Sequence, residues 1–383
     1  MKKYIHNQFS KSLILGFVFL SSQTFGQVIK TNSDFQSGIF VVEKDKKFSF
    51  VNRKGVEISP NTYENAYNIS EGLAAVQKNG KWGFIDKNGN EVIDFKFDDV
   101  QNFSQSLAAV KIADKWGFID KKGKEKITLQ YENVLSFSEG LSFVKQNGKW
   151  GVIDNQNNFI ANPQYQKAES FSEGLACVAI EGKYGFINKK GVQVIPMHYK
   201  AARSFSEGRA AIKTDNKKWG FIDKDDNILV KDMFDEVDNF SEGVSAVRSQ
   251  RKWGVIDLAG NMVIEPTKYD FIEASSEGMM VVCIKDKFGV VDKFGNEMVA
   301  VKYDNIWGFS EGVARVGLNN KYGFVDKSGL EIIPLIYDDA YSFSDGMARV
   351  NIFGKNGFIN KKGKEFFQEK PEFTKGTLTK VGQ

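Results

Sequence analysis

Apolar and polar positions alternate along this chain in a unit that returns every 34 or 35 residues. In the copy ISEGLAAVQKNGKWGFIDKNGNEVIDFKFDDVQN, residues 69–102, three short apolar runs are separated by polar stretches, two of them carrying glycine. The spacing predicts strands at Leu73 to Gln77, at Trp82 to Asp86 and from Glu91 toward Phe97. In the second of these, Trp82 and Phe84 point to one face and Ile85 to the other, so both faces are apolar. Such a strand needs cover on both sides, which neighbouring copies in a tandem array supply.

Two landmarks keep the register. An aromatic-glycine pair occurs at Trp82-Gly83, Trp116-Gly117, Trp150-Gly151, Tyr184-Gly185, Trp219-Gly220, Trp253-Gly254, Phe288-Gly289 and Tyr322-Gly323. One step back lies Phe48 and one step forward Asn356, degenerate first and last copies that read as caps. An FSEG-like tetrapeptide starts at Phe103, Phe137, Phe171, Phe205, Phe240, Phe309 and Phe343, with Ile69 and Ser275 replacing the ring in two copies and FQSG at Phe35 opening the first. Ten units therefore span residues 35–370, with a lead-in at 27–34 and a tail at 371–383. Trp307-Gly308 resembles the core pair but falls out of register.

Several slots carry a physical reason. After the second strand stands Asp, or Asn at Asn52, Asn188 and Asn360, and three residues later Gly, Asn157 or Asp226. An acceptor side chain followed by a residue tolerant of positive φ predicts a type I turn closing a hairpin. The exchange with Asn says that the acceptor matters and the charge does not. The mid-strand glycine at Gly83 and its equivalents predicts a close approach to the backbone, assigned to an aromatic ring of the adjacent repeat. A Tyr or Phe stands six positions before each FSEG start, as at Tyr131 and Tyr337, usually with an acid after it; a small apolar residue three places on, such as Ala66 or Val100, would complete a buried edge.

This pattern resembles the WG (or KWG) repeat family of bacterial proteins. The resemblance rests on KWGFID at 81–86 and 115–120, KWGVID at 149–154 and 252–257, and KYGFIN at 183–188, and it covers nearly the whole repeat region. It implies a β-rich repeat protein with an interaction role and no assigned activity. The expected fold is an all-β, open, solenoid-like superhelical array. Ten units exceed the about four to eight blades of an ordinary propeller, though a large propeller or two rings are the alternatives.

Composition narrows the function. Residues 1–26 read as a signal peptide: Lys2, Lys3 and Lys11, an apolar stretch from Leu13 to Leu20, then mostly small residues to Gly26. A retained anchor is the alternative. Removing that segment leaves 49 basic against 48 acidic residues, a net charge of +1 in place of +4, which is no footprint for nucleic acid. Cys177 and Cys283 read as buried free thiols. Beyond the signal peptide there is one histidine, His198, and no P-loop, dinucleotide fingerprint, HExxH or nucleophile elbow. DKNGNE at 86–91 lacks the sixth-position Gly and the terminal Glu of a calcium loop. A glycosidase-like carboxylate pair is the strongest enzymatic alternative, yet the FSEG glutamates return once per unit, as a structural contact would.

The sequence thus predicts an exported, non-enzymatic scaffold without a cofactor, in the periplasm, at the cell surface or secreted. A protein partner is expected, with a glycan surface as the alternative. Trp307 and Tyr341 are the candidate binding residues. They share a slot that elsewhere holds Gln101, Glu169, Arg203, Asp238 and Glu273, with Tyr67 and Leu135 showing that apolar bulk also fits.

Overall fold

The computed structural model describes residues 39–367 except 45, 53–56, 60–62 and 345. The signal peptide, the lead-in, the FQSG start of the first copy and the C-terminal tail lie outside the described residues. What is described is all-β: 38 strands form ten consecutive antiparallel sheets, the first two-stranded and the other nine four-stranded.

The first sheet pairs β1 (Ile39–Lys44) with β2 (Lys47–Asn52). A partial third strand survives as the bridges Val51 to Glu57 and Phe48 to Tyr63. The second sheet sets the pattern for the rest: β3 (Asn65–Ala66), β4 (Leu73–Lys78), β5 (Lys81–Asp86) and β6 (Glu91–Phe97), joined as a meander in chain order. The two-residue β3 is the edge the sequence indicated, with Ala66 opposite Val76; Ala66 itself is half-buried, while Val100 and Ala340 in the same slot are buried.

Three turns fix this meander. Between β3 and β4, Ser70 and Leu73 exchange both backbone hydrogen bonds while Glu71 and Gly72 hold φ of 50° and 90°. Between β4 and β5, Asn79 and Gly80 take φ of 52° and 73°. Both are two-residue turns with left-handed central residues, whose twist matches the flanking strands. Between β5 and β6, the Asp86 carboxylate accepts from the N–H groups of Asn88 and Asn90 at 2.8 and 2.9 Å, and Gly89 N–H donates to the Asp86 carbonyl. Asn188 and Asn360 accept the same pair of backbone bonds in their copies. Asn157 and Asp226, standing where Gly89 stands, keep positive φ of 68° and 65°. The predicted turn is the observed one.

The strand equivalent to β6 is the outer edge. It carries Pro163, Pro196, Pro266 and Pro334, which an edge accepts because one side of its backbone needs no ladder bonds. Its pairing with β5 bulges: Trp82 faces Phe97 and Phe84 faces Ile93, so two residues of β5 span four of β6. That bulge corrects the reading of Gly83. What lies over the glycine is the backbone of its own sheet's outer strand, where an added Cβ would come within 2.6 Å of the Ile93 carbonyl oxygen. The nearest ring, Phe95, belongs to that strand as well and not to an adjacent repeat.

Each core lies between two sheets. Phe84, Trp82 and Ile93 of the second sheet pack with Val100, Phe103, Val110 and Ile119 of the third, while Ile85 and Val76 face Phe50 and Tyr63 of the first repeat. The FSEG ring inserts from the following sheet: Phe84 meets Phe103 edge to face at 5.0 Å, and Phe118–Phe137, Phe186–Phe205, Phe221–Phe240 and Phe324–Phe343 repeat the geometry at 4.8 to 4.9 Å. Where Val152 replaces the first ring, Phe143 on the neighbouring strand supplies one and stacks on Phe171 at 5.6 Å. Among the described residues the substantial packing joins each sheet to its immediate neighbours. The array is open and solenoid-like.

The close approach at the core glycine gives a contrast. A Cβ on Gly117 would sit 2.8 Å from Leu129 N and Thr128 C, both backbone atoms that cannot swing aside. One on Gly308 would meet nothing nearer than Glu273 Oε2 at 3.9 Å. Gly117→Ala is expected to destabilise by about 1–3 kcal/mol, as overpacking does, with Gly308→Ala close to wild type. Denaturant melts of the two variants check this, and equal effects would contradict it.

Candidate functional site

The recurring polar residues are consumed by the frame. Ser70, Ser104, Ser138, Ser172, Ser206, Ser241, Ser276 and Ser310 each donate their hydroxyl, at 2.8 to 3.1 Å, to the backbone carbonyl at the FSEG ring position of the next sheet. The acid after them reaches the same neighbour. Glu71 accepts from Ser106 N–H, and Glu139, Glu173, Glu207, Glu242, Glu277 and Glu311 accept from the equivalent Gly N–H, at 2.6 to 3.0 Å. Gln105 makes the same bond to Gly140, so the acceptor is needed and its charge is not. Lysines of the next sheet's hairpin add ion pairs to Glu71, Glu173, Glu277 and Glu311 at 3.0 to 3.2 Å. These glutamates are tie points between repeats, spread along the array.

The WG aromatics are strand residues that differ in burial from copy to copy. Trp82, Trp116 and Trp253 are buried, whereas Trp150, Tyr184, Trp219 and Tyr322 are half-buried. Each of these seven rings faces the Tyr or Phe that stands six positions before FSEG, as Trp116 faces Tyr131. The paired glycines Gly83, Gly117, Gly151, Gly185, Gly220, Gly254 and Gly323 all lie under the outer-strand backbone. None of these residues gathers into a reactive cluster; they repeat at one sheet per copy.

The slot of Trp307 and Tyr341 is different in kind. It immediately follows the two-residue inner strand, and at Tyr67, Arg203 and Trp307 its side chain lies against the WG ring of its own sheet. Tyr67 stacks on Trp82 at 4.9 Å and the Arg203 guanidinium lies 5.0 Å from the centre of Trp219. The slot also reaches forward. Gln101 donates to the Val134 carbonyl and accepts from Ser136 Oγ at 2.7 Å, Glu169 accepts from Ser204 N and Oγ, and Arg203 donates to the Val237 carbonyl at 2.6 Å. Consecutive slots therefore form one continuous row across the sheets. Along it the chemistry changes from copy to copy: Glu169, Arg203, Asp238, Glu273, Trp307, Tyr341.

The acids of this row are perturbed. Burial holds the Asp238 carboxyl above its ordinary range, opposed by Arg203, whose Nη1 is 4.0 Å away. Glu273 is raised by the protein crowded around it and then by the charge of Asp238, although its side chain reaches solvent. Trp307 and Tyr341 are half-buried, and they are not open platforms: the Arg315 guanidinium sits 3.3 Å from the centre of the Trp307 ring and 5.7 Å from that of Tyr341. Arg315 and Arg349 were not singled out by sequence reasoning. The signal is in the register: the position two residues into the strand after FSEG holds Ala75, Ala109, Phe143, Cys177, Ala211, Ala246 and Val281, and then two arginines.

The remaining chemistry-bearing residues are scattered. His198 lies on an outer strand with its Nε2 3.9 Å from Asp226 Oδ2 and its ring against Tyr199. Tyr199 in turn donates to Asp226 at 2.6 Å, as Tyr131 donates to Asn157, so the residue replacing the turn glycine is held by the preceding sheet. Cys177 and Cys283 are buried free thiols, as read from the sequence. Among the described residues no three His, Cys, Asp or Glu side chains are gathered as a metal-holding group.

An open array of four-stranded antiparallel sheets, tied by one aromatic, one serine and one acid per copy, defines a class of tandem β-repeat protein. A family model described as "WG containing repeat" matches nine consecutive stretches, residues 48–82, 82–116, 116–150, 150–184, 184–217, 219–253, 253–288, 288–322 and 322–355. The chain belongs to the family of WG-repeat proteins. Nine stretches running from one aromatic slot to the next connect ten copies, in agreement with the ten sheets. No curated protein sequence matches the chain. Among solved structures, a eukaryotic initiation factor is similar with a TM-score of 0.56 at 10% identity, over 78% of this chain and 96% of that one. A computationally designed protein, Ika8, gives 0.41 at 13% identity over 66% and 92%. PorZ of Porphyromonas gingivalis gives 0.31 at 12% over 91% and 53%. The first likeness speaks to fold alone, and the other two are too loose to bear on it.

Several turn acids and the FSEG glutamate Glu242 are shifted in the same direction. The Asn227 amide and N–H hold Asp223 below the usual carboxylate range, Asn261 does so for Asp257, Ser328 for Asp326, and the Ser275 hydroxyl for Glu242. A carboxyl with a depressed pKa in the folded state contributes stability above its unfolded pKa, and that contribution is lost as pH falls through the folded one. Asp238 and Glu273 act the opposite way but are outnumbered. The melting midpoint is expected to be level from about pH 8 to 6 and to fall steeply between about pH 4 and 3, the range where ordinary carboxyls protonate. Thermal melts across that range check it, and an unchanged midpoint at pH 3 would contradict it.

Proposed function

We propose that this chain is an exported, non-enzymatic binding scaffold whose row of slot residues takes a segment of a partner protein in the cell envelope. One observation carries the reading. Most recurring polar side chains are occupied in holding one sheet to the next or in closing turns, while the row from Tyr67 to Tyr341 changes in charge and size from copy to copy on constant backbone bonds. Positions that change without disturbing the frame are the ones a repeat protein uses for recognition.

An extended surface of mixed charge fits a polypeptide better than it fits a catalytic centre. The acids that recur are committed acceptors, and the acids of the row, Glu169, Asp238 and Glu273, stand one per sheet. The stacked guanidinium on Trp307 occupies a face that a sugar ring would need, which favours a protein partner over a glycan. Export rests on the charged, apolar and small segments of residues 1–26, and predicts a mature chain beginning near Gln27.

Charge reversal in the row tests this. A double variant, Asp238→Lys with Glu273→Lys, is expected to fold with wild-type secondary structure and to lose capture of the envelope partner that the wild-type chain retains after cross-linking. Intact mass of the chain recovered from the envelope is expected to lack residues 1–26. Undiminished capture by the double variant would contradict the row as the binding surface, and a recovered chain starting at Met1 would contradict export.

A further inference from the structure

The chain enters each four-stranded sheet through a residue just before the inner strand, and in seven of the nine sheets that residue is an acid. Asp270 shows what the acid does. Its Oδ2 accepts the Lys285 N–H of its own sheet's hairpin at 2.8 Å, and its Oδ1 holds the Lys252 ammonium of the preceding sheet at 2.7 Å. Asp98, Asp304 and Asp338 repeat both contacts. In the fifth and sixth sheets Gln166 and Lys200 stand in this place. The backbone is unchanged: their N–H groups donate to the Ala179 and Lys213 carbonyls, as that of Asp98 does to the Lys111 carbonyl. The frame therefore accepts an acid here and has been given none. Gln166 leaves this edge one charge more positive than the acid would, and Lys200 two.

A lysine precedes the WG position in all ten copies, so Lys149 and Lys183 lose the carboxylate that answers Lys252, Lys287 and Lys321. Lys183 and Lys200 share one substitute, Asp215 Oδ1, at 3.5 and 3.1 Å. The side chains of Lys149 and Lys217 are exposed and make no hydrogen bond or ion pair among the described residues. Lys167 and Lys213 lie 5.5 and 4.9 Å from the ring centres of Tyr184 and Trp219, which are half-buried. The other acids along this edge are Glu132, which accepts the Gly148 N–H, Glu169, which accepts from Ser204, and Glu181. Lysines outnumber acids on the hairpin edge of the fourth to sixth sheets, although the chain as a whole is nearly neutral. Like charges gathered at a surface repel one another and attract an opposite field.

We propose that this hairpin edge, centred on Lys149, Lys183 and Lys200, docks an acidic segment of the partner protein. This rests on the scaffold reading above and adds the chemistry of the partner. Ammonium groups on flexible stems adjust to carboxylates spaced along an extended chain and require no fixed fork. The lysines over Tyr184 and Trp219 occupy ring faces on which a sugar would stack, so the edge suits a polypeptide better than an acidic polysaccharide. The slot row gives the segment a direction. Arg203 lies over Trp219 beside this edge, and Asp238 and Glu273 follow in the next two sheets with the opposite sign. The acidic stretch of the segment is placed on the fourth to sixth sheets, and a basic stretch on the two beyond.

Fluorescence anisotropy with fluorescein-labelled hexaglutamate tests the site on the full chain, with hexaglutamine as the neutral control. Hexaglutamate is expected to bind at least about tenfold more tightly than hexaglutamine, a difference that shrinks as salt is raised. Gln166→Glu with Lys200→Glu puts back the acid that the other sheets carry, and is expected to abolish the preference while keeping the wild-type melting curve. Lys122→Glu with Lys124→Gln makes the same change in net charge at a turn of the opposite edge, and is expected to leave the preference intact. Should the first variant fail to fold, Lys149→Gln with Lys217→Gln, which removes two side chains without partners, carries the test and is expected to weaken hexaglutamate binding severalfold. Equal binding of the two peptides, an unchanged preference in the folded edge variant, or an equal loss in the Lys122 and Lys124 control would overturn the proposal. Oligogalacturonate binding as tightly as hexaglutamate would overturn the polypeptide as its ligand. If cross-linked capture still depends on Asp238 and Glu273 while hexaglutamate does not bind, the acidic-segment site falls and the scaffold stands.

Discussion

A sheet that is apolar on both faces cannot stand alone in water, and every four-stranded sheet of this chain is of that kind. Phe84 looks toward the third sheet and Ile85 toward the first repeat, so each sheet is completed only by the two beside it. From this constraint follow the tandem arrangement, the regular step and the ring that each FSEG sequence pushes into its predecessor. The ends of the array carry the atypical copies. The first sheet is two-stranded with bridges for a third, and the last puts Asn356 where the others have an aromatic.

Apolar stacking alone leaves two sheets free to slide, because it is not directional. The polar pair in FSEG removes that freedom. Its serine binds the carbonyl of the next ring position and its acid, itself in left-handed conformation, binds the next turn's N–H, so adjacent sheets are tied at two points by consecutive residues. Because these acceptors are spent on the frame, the informative positions lie elsewhere. The row beside the inner strands keeps constant backbone bonds and changes its side chains from copy to copy.

Much of this was legible because the chain repeats. Ten samples of each slot show what the slot tolerates: Asn188 for Asp86 identified an acceptor, and Asn157 and Asp226 for Gly89 identified positive φ. The strand positions and the small edge at Ala66 were read correctly for the same reason. Three things were not legible. The SEG turn was read as a landmark, although a residue followed by glycine between two strands is a hairpin signal. The cover of Gly83 was assigned to an adjacent repeat because a bulge in the outer strand leaves no periodic trace, and that strand's own backbone proved to be the neighbour. Arg315 and Arg349 were not legible because their contact with Trp307 and Tyr341 depends on the strand pairing, which puts residues eight apart side by side.

The central claim is that stability in this chain passes only between neighbouring sheets of an open array. Amide hydrogen exchange of the native protein, read sheet by sheet at neutral pH, tests it most directly. A sheet near the middle is covered on both faces through several layers and opens only if its neighbours do, whereas end sheets fray. The account predicts protection that peaks in the central sheets, around residues 167–234, and declines stepwise toward residues 39 and 367. Equal protection across all ten sheets, as a closed ring would give, would contradict it.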